Sequence, residues 1–347
     1  MWKESPVYLE DLSGIVADSN IPWEKLSGKT VLVTGATGLI GATVVNALLY
    51  YGKVRVLALV RNLDKARSKF AAQLAECGDR LAFVVGDVCS PLAIDETVDY
   101  IVHGASQTAS KAFVEQPVET IDTAVNGTRN VLELARKKQV QAFVYLSSME
   151  LYGYPEKGHV VTENEVAGFD TTVVRNSYPI GKQICEALCS AYDQEYGVPV
   201  MILRLTQTFG PGVEYTDQRI FGEFIRCARE KRDIVLKTKG ETERCYLYTA
   251  DAVRAILTVM LKGERRQAYT AANAATYCSI AQMAEMICRE LAQGEISVRY
   301  ELADVQKLGY ANTLYMNLDT TKLQALGWKA QVDLLQTYKR TLESMIY

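Results

Sequence analysis

The chain has 347 residues, of which 48% are hydrophobic, so it is long enough and apolar enough to bury a full core. Its 38 lysines and arginines against 41 aspartates and glutamates give a net charge of -3, which provides no long-range attraction to nucleic acid or anionic lipid. No apolar run approaches the length of a bilayer span, and the start of the sequence lacks a signal-peptide core, so we expect a cytoplasmic protein that binds neither membranes nor nucleic acid.

Alternating strand and helix patterns follow an extension that we assign to residues 1–27. The apolar periodicity predicts strands at 30–34, 54–60, 81–85, 98–103, 143–146 and 198–205, and helices at 40–51, 63–77, 118–138 and 178–196. This alternation indicates an α/β fold with a doubly wound parallel sheet over residues 28–209. The strand predicted at 198–205 is expected to complete this sheet. Shorter elements follow, so we assign 210–347 mainly to a smaller mixed α/β lobe that is interleaved with the first.

A glycine-rich turn lies between the first predicted strand and the first predicted helix, where Gly35, Gly38 and Gly41 are spaced by three. Glycines there permit a tight turn and the close approach of a pyrophosphate, which the N–H groups at the helix start can bind. The turn therefore predicts a Rossmann-type dinucleotide site. An ordinary tight turn is the alternative, since a glycine trio alone is a weak signal. The other residues of the predicted site in this turn are Thr37, Leu39 and Ile40.

The end of the second predicted strand indicates which dinucleotide is bound. An NAD site needs an acidic residue there to accept a hydrogen bond from the ribose 2′-hydroxyl. Here the strand ends with Arg61 and Asn62, and a guanidinium pairs well with a 2′-phosphate, so we favour NADP over NAD. Asp64 is the fallback acid for NAD, and a solvated strand-end charge is the alternative interpretation of Arg61.

The third and fourth predicted strands end in residues that suit the rest of a dinucleotide. Asp87 and Val88 follow the third strand, where an adenine contact is expected. After the fourth strand, the small residues Gly104, Ala105 and Ser106 let the backbone approach a flat ligand. We include these five residues in the predicted coenzyme site.

Tyr178 has a lysine, Lys182, four residues later, and no other tyrosine in the sequence has this spacing. Both side chains therefore lie on one helix face, where an ammonium stabilises a phenolate and lowers the tyrosine pKa from about 10 toward working pH. Tyr178 can then exchange a proton with a carbonyl or hydroxyl group while a nicotinamide exchanges the hydride.

Polar residues at the end of the fifth predicted strand complete the predicted catalytic set. Ser148 can share a hydrogen bond with the reacting oxygen, and Glu150 can serve as a second acid/base or fix a substrate hydroxyl. Each is an ordinary strand-end residue taken singly. Together with the glycine turn before them and the Tyr/Lys pair after them, they predict an oxidoreductase site.

No metal site is predicted. The eight cysteines include no CxxC pair, and only two histidines are present to join them as ligands. Cys185 and Cys189 lie one helical turn apart, but two ligands do not close a tetrahedral site. We therefore predict buried free thiols.

These motifs, in this order, resemble the extended short-chain dehydrogenase family of sugar-nucleotide epimerases, dehydratases and decarboxylases. The shared elements are TGxxGxxG, SSxxxYG, YxxxK and Gly-Pro-Gly, and the resemblance covers residues 29–328. It is strongest to the UDP-glucuronate decarboxylase and NDP-hexose 4,6-dehydratase branch, through Glu150 and the four residues that end at Tyr178. The resemblance implies an NAD(P)-dependent enzyme in which Ser148, Tyr178 and Lys182 have the family's catalytic roles, and in which Tyr178, Lys182 and Asp87 contact the coenzyme.

The same resemblance implies a substrate and an assembly. The substrate is a nucleotide sugar or nucleotide polyol, with Gln207 in the segment leading to its pocket, Arg244 on its diphosphate and Tyr248 lining the site. A surface ion pair is the alternative for Arg244. The helices predicted at 118–138 and 178–196 pair across a two-fold axis in the family, which implies a homodimer.

One position departs from the 4,6-dehydratases, which place Asp and Glu side by side after the Ser/Thr. Here the pair is Met149 and Glu150, and a thioether cannot donate a proton, so the sequence disfavours dehydration and leaves decarboxylation open. The NADP prediction raises a second hypothesis, an NADPH-dependent reductase that converts a nucleotide-linked ketose or keto-sugar to the alcohol. A third is a noncatalytic dinucleotide sensor, which would not need the Ser/Tyr/Lys set.

Overall fold

The computed structural model describes residues 5–108, 110–303 and 313–345; the remaining parts of the predicted 1–27 extension and 210–347 lobe lie outside these ranges. The strands are β1 Thr30–Thr34, β2 Arg55–Val60, β3 Leu81–Val85, β4 Tyr100–His103, β5 Ala142–Ser148, β6 Val160–Val161, β7 Val200–Leu205, β8 Gln207–Phe209, β9 Ile234–Leu236, β10 Glu243–Tyr248, β11 Ala268–Ala271, β12 Asn273–Ser279, β13 Val298–Tyr300 and β14 Tyr315–Leu318. The helices are α1 Pro6–Val16, α2 Leu39–Tyr51, α3 Leu63–Lys69, α4 Ala71–Cys77, α5 Ala112–Glu115, α6 Pro117–Lys138, α7 Ser177–Tyr196, α8 Ile220–Glu230, α9 Thr249–Lys262, α10 Ile280–Met286, α11 Thr321–Gln324 and α12 Leu334–Ser344.

The main sheet has seven parallel strands in the order β11-β7-β5-β4-β1-β2-β3. The chain runs outward from β1 to β3, then crosses back and runs outward from β4 to β11. This confirms the predicted doubly wound parallel sheet. The prediction that the strand at 198–205 completes the sheet was wrong, because α9 carries the chain back to place β11 beside β7.

Alternate residues of the central strands pack on opposite faces of the sheet. In β1, Val31 and Val33 join a core cluster that contains residues of α2 and α9, whereas Leu32 joins a second cluster with residues of α6 and α7. Both faces are covered by helices, which explains why the central strands read as continuous apolar runs.

The helix predicted at 63–77 is broken at Phe70, between α3 and α4. The Phe70 side chain is fully buried, and its ring lies 6.0 Å from that of Phe83 on β3. Its backbone leaves the helical region while its N–H still bonds to the Ala66 carbonyl oxygen at 2.9 Å. Burial of this ring in the sheet core therefore outweighs local helix periodicity.

A smaller lobe is built around a mixed sheet in the order β12-β10-β14-β6, with β8 also paired to β10, and a two-stranded sheet of β13 and β9. Helix α1 packs against the main lobe through Tyr8, whose hydroxyl donates to Thr43 at 3.3 Å and accepts from the Asn46 amide at 2.7 Å. Among the described residues, no helix has the length and apolar character needed to cross a membrane.

Candidate functional site

The glycine turn after β1 lies against the loop after β4, at the point where the strand order reverses. Gly35 has a φ of +67°, and a Cβ on it would lie 2.8 Å from the backbone carbon of Gly104. A Cβ on Gly41 would lie 2.2 Å from the carbonyl oxygen of Gly35. Larger residues would therefore push the turn, the helix and the β4 loop apart. In open parallel sheets, this switch point is where ligands bind.

The start of α2 presents free backbone donors to this turn. Gly38 is the N-cap residue, and its backbone is extended with no side chain to satisfy the first helical N–H groups. The amides that begin the helix, which include those of Leu39 and Ile40, are thus available to an anion. Thr37 immediately precedes this helix start. These residues fit the pyrophosphate of a dinucleotide.

The ends of β2 and β3 lie side by side, where the sequence predicted the contacts with the adenosine part of the coenzyme. The Arg61 side chain is 80% exposed and its guanidinium lies 4.0 Å from the Asp87 carboxylate. Asn62 caps α3 by accepting a hydrogen bond from the Lys65 N–H at 2.8 Å. Asp64 lies in the first turn of α3, where a carboxylate is stabilised by the helix dipole. Arg61 thus lies directly after β2, at the position where the sequence predicted a contact with the 2′-phosphate.

Small residues after β4 form the other wall of the turn. The Ala105 N–H donates to the Thr34 hydroxyl at 3.1 Å, which ties the β4 loop to β1. Ser106 donates from its hydroxyl to the Gln107 carbonyl oxygen at 3.2 Å. The Val88 side chain is buried and therefore contributes to packing. Its carbonyl oxygen accepts a hydrogen bond from the Asn130 amide at 2.8 Å.

Tyr178, Lys182 and Ser148 lie at the carboxyl end of the sheet, where β5 ends. Ser148 ends β5, and its hydroxyl accepts the Glu150 N–H at 3.2 Å. Lys182 is buried, its ammonium donates to the Leu146 carbonyl oxygen at 2.7 Å, and its Nζ lies 5.8 Å from the centre of the Tyr178 ring. The structure therefore brings the predicted Ser/Tyr/Lys set together.

The electrostatics of this set differ from the sequence-based expectation. Burial raises the pKa of Tyr178 well above its ordinary value, and the charge of Glu150 raises it further, while the Ser148 hydroxyl and the Arg175 guanidinium lower it. Burial also lowers the pKa of Lys182 to about 8. The expectation of a lowered tyrosine pKa was wrong for the free protein, because burial disfavours the charged phenolate more than its neighbours stabilise it. The positive charge of Lys182 is lost as the pH rises through about 8.

Two residues near Tyr178 form contacts that the sequence did not reveal. The Phe113 ring stacks on the Tyr178 ring with a centroid distance of 4.2 Å and an angle of 10°. The Arg175 guanidinium donates to the Glu150 carboxylate at 2.9 Å and lies 4.8 Å from the centre of the Phe113 ring. Arg175 was visible in the segment before Tyr178, but Phe113 is 65 positions away and only the fold brings it here.

Met149 and the cysteine pair are core residues. The Met149 side chain is buried, and its sulfur accepts from the Thr206 hydroxyl at 3.0 Å. Cys185 and Cys189 are buried free thiols, and Cys185 donates to the Ala124 carbonyl oxygen at 3.1 Å. Met149 therefore supplies no proton beside Glu150.

The predicted substrate residues lie in two different environments. Gln207 begins β8, beside Tyr246 of β10. Arg244, on the same strand β10, is partly buried, and its Nε has no hydrogen-bond partner among the described residues. Tyr248 is 1% exposed, and its hydroxyl bonds to the Asp11 carboxylate at 2.5 Å. Because Tyr248 is buried under α1, the structure does not offer its side chain to a substrate as predicted.

The model of the NAD dependent epimerase/dehydratase family matches residues 31–275. The chain belongs to this family. UDP-glucuronic acid decarboxylase 6 of Arabidopsis thaliana is 28% identical over 274 residues, which cover 79% of this chain and 77% of that enzyme. dTDP-D-glucose 4,6-dehydratase of Homo sapiens is 26% identical over 335 residues, which cover 93% of this chain and 92% of that enzyme. The UDP-glucose 4-epimerase structure from Thermotoga maritima has a TM-score of 0.76 and 22% identity, and the match covers 91% of this chain and 98% of that one.

Membership of the NAD dependent epimerase/dehydratase family confirms the resemblance inferred from the motifs. The matched residues include the glycine turn and the Ser/Tyr/Lys set. They do not include α1, which precedes them in the chain. The family name specifies NAD, and the choice of NADP by this epimerase/dehydratase family member stays a prediction.

Proposed function

We propose that this protein catalyses hydride transfer between NADP and the sugar of a nucleotide sugar, with Tyr178 exchanging the proton. The observation that carries the proposal is the convergence of Tyr178, Ser148 and Lys182 at the carboxyl end of β5, in the same parallel sheet whose switch point holds the glycine turn. Incubation with NADP or NAD and each of UDP-glucuronate, UDP-glucose and dTDP-glucose, followed by mass spectrometry and NMR spectroscopy of the products, tests it, because NMR distinguishes epimers of equal mass. Absence of any product with all three would contradict it.

Each catalytic side chain has a distinct proposed role. A bound dinucleotide supplies a hydride acceptor or donor at its nicotinamide ring. Tyr178 takes or gives the proton of the reacting sugar oxygen, and Ser148 hydrogen-bonds that oxygen. Glu150 lies two residues beyond Ser148, where its carboxylate can serve as a second acid/base. Lys182 places a buried positive charge under the Tyr178 ring.

The environment of Met149 favours a redox-neutral reaction other than dehydration. A 4-keto intermediate makes loss of an adjacent carboxylate easy without a second acid, so we propose decarboxylation or epimerisation ahead of dehydration. Arg61 favours a second candidate, an NADPH-dependent reductase of a nucleotide-linked ketose or keto-sugar. A second assay with NADPH and a nucleotide-linked keto-sugar separates them, since a reductase consumes NADPH and the redox-neutral enzymes do not. A noncatalytic dinucleotide sensor would bind coenzyme and convert none of these substrates.

We also propose a cytoplasmic homodimer. Helices α6 and α7 lie side by side on one face of the sheet and leave apolar side chains exposed, among them Val118 at 65%, Ile121 at 40% and Ile184 at 41%. Burial of such a patch between two chains is what a two-fold interface of these helices requires. All eight cysteines are free thiols, which suits a reducing compartment.

Arg61→Ser is expected to raise the KM for NADP about tenfold or more and to leave the KM for NAD nearly unchanged. The reason is the loss of a charge-assisted contact with the 2′-phosphate, which is worth about 1.5–3 kcal/mol. Steady-state kinetics with each coenzyme measure it. Arg67→Ser, in the last turn of α3, is the matched control and should leave both KM values unchanged. Equal effects of Arg61→Ser on the two coenzymes would contradict the NADP preference.

Arg244→Met is expected to raise the KM for the nucleotide sugar about tenfold or more with a small effect on kcat. The Arg244 Nε is buried and has no hydrogen-bond partner within the described part of the chain, so the guanidinium has a donor available for a diphosphate, and methionine keeps much of the apolar stem. Initial rates at varied substrate concentration measure the change. Arg299→Met removes a guanidinium that pairs with Asp233 in the same lobe and serves as the control. An unchanged KM for Arg244→Met would show that the diphosphate binds elsewhere.

A further inference from the structure

Arg175 links two groups that both act on Tyr178. It lies in the 3-10 turn Val174–Asn176 that leads into α7. Its guanidinium donates to the Glu150 carboxylate at 2.9 Å, and the side chains of this ion pair are each 30% exposed. The same guanidinium lies 4.8 Å from the centre of the Phe113 ring, on which Tyr178 stacks. The Arg175 guanidinium therefore contacts two neighbours of the phenol, Glu150 and Phe113.

We propose that Arg175 is a positioning residue that holds the Glu150 carboxylate beside Tyr178 and compensates its negative charge, so that the phenol can exchange its proton. This inference rests on the proposed function, and it assigns to Arg175 no contact with the substrate. Glu150 alone would be a half-buried anion next to a group that must itself become an anion. The ion pair keeps the carboxylate in place and offsets its repulsion of the phenolate.

Charged and titratable groups surround Tyr178 and the Lys182 ammonium beside it. Those beside Tyr178 are Lys182 on α7, Glu150 after β5, Arg175 before α7 and Tyr145 on β5. Those near Lys182 are His103 on β4 and, on α7, Cys185, Glu186 and Cys189. Burial lowers the pKa of His103 to about 3, so this histidine is neutral at working pH. Tyr145 is buried with a strongly raised pKa and is also neutral. The charged side chains near the phenol are therefore those of Lys182, Glu150 and Arg175.

The charges of Glu150 and Arg175 determine the direction in which the pKa of Tyr178 moves. Glu150 raises the pKa of Tyr178 and Arg175 lowers it. Removal of the guanidinium leaves the carboxylate unopposed. The limb of the pH profile of kcat that reflects the titration of Tyr178 therefore moves to higher pH. Removal of the carboxylate as well takes away the repulsion and moves the limb back. A guanidinium that only anchored the 3-10 turn would not produce this reversal.

The test compares the pH dependence of kcat for the wild type, Arg175→Lys, Arg175→Gln, Glu150→Gln and the double variant. The substrate is whichever of UDP-glucuronate, UDP-glucose and dTDP-glucose the wild type converts. Arg175→Gln is expected to move the Tyr178 limb up by about one pH unit, a tenfold change in proton affinity. Arg175→Lys should move it less, Glu150→Gln should move it to lower pH, and the double variant Glu150→Gln/Arg175→Gln should return it close to the wild-type position. Arg136→Gln, which removes a guanidinium paired with Glu133 and placed over the Tyr196 ring, should leave the profile unchanged.

A second measurement does not depend on turnover. Protein labelled with [ζ-13C]tyrosine and saturated with NADP is titrated by NMR, and the Tyr178 resonance is identified by its absence from Tyr178→Phe. The resonance should begin to move at lower pH in the wild type than in Arg175→Gln. The same onset in both proteins, or no movement in either, overturns the role of Arg175. Failure of the wild type to convert any probe overturns the proposed function instead, so the two failures are distinguishable.

Discussion

Replacing Tyr178 with phenylalanine is expected to lower kcat by roughly 100- to 10,000-fold, the range for loss of a positioned general acid/base. The change removes one oxygen atom and keeps the ring that stacks on Phe113 at 4.2 Å. The free energy of unfolding and the affinity for coenzyme should therefore change little. Initial rates measure kcat, and thermal unfolding followed by circular dichroism measures stability.

The control for this variant is Tyr196→Phe, which makes the same change at the other end of α7. The Tyr196 side chain is 48% exposed and lies far along the helix from the glycine turn. It should retain wild-type kcat. If Tyr178→Phe kept wild-type turnover while remaining folded, the phenol would not carry the proton and the proposed mechanism would be wrong.

The strands of the main lobe were predictable because each is specified by its own apolar residues and by the turn residues beside it. Residues 30–34 and 81–85 were predicted as the strands that β1 and β3 form, since short apolar runs flanked by turn residues specify both type and bounds. Strand β11 was missed because it has four residues and follows the helix α9, far from the other strands of its sheet in the sequence. Its place at the edge depends on tertiary packing alone.

The candidate site was predictable where chemistry requires a fixed spacing along the chain. The pair of Tyr178 and Lys182 lies on one turn of helix, so the spacing alone brought both to the same face. Phe113 had no such signal, because its contact with Tyr178 joins the segment after β4 to α7. Tyr248 is the reverse case: its motif suggested a substrate contact, but α1 and α12 cover it, and Arg340 of α12 donates to its hydroxyl at 2.9 Å.

The expectation of a lowered pKa for Tyr178 failed because the spacing of two ionisable residues along a helix does not show how far they are removed from water. A lysine one turn from a tyrosine favours phenolate in a solvated helix. In the fold, Tyr178 and Lys182 are both buried, and burial is the first cause of the shift in each pKa. Burial penalises each charged form, which raises the pKa of the phenol and lowers that of the ammonium. Only the three-dimensional packing determines which effect is larger.

Gly41→Ala is expected to weaken coenzyme binding by about 100-fold or more. The added Cβ would lie 2.2 Å from the Gly35 carbonyl oxygen and 3.1 Å from the Ala36 Cα, and backbone atoms cannot rotate away as a side chain can. Either α2 or the glycine turn must move. Two misplaced charge-assisted hydrogen bonds to the pyrophosphate, at about 1.5–3 kcal/mol each, account for a loss of this size. Isothermal titration calorimetry with NADP and NAD measures the Kd.

The matched control is Gly168→Ala, because no heavy atom of the described residues comes within 4 Å of a Cβ added at Gly168, and its φ is not positive. It should bind coenzyme as the wild type does. Overpacking at Gly41 is also expected to lower the free energy of unfolding by about 1–3 kcal/mol, so thermal unfolding is measured beside binding. Binding is measured at a temperature where both variants remain folded, which separates a displaced turn from global unfolding. Wild-type affinity in a folded Gly41→Ala protein would mean that the coenzyme does not lie in this turn, since no dinucleotide could keep its contacts there after the backbone had moved.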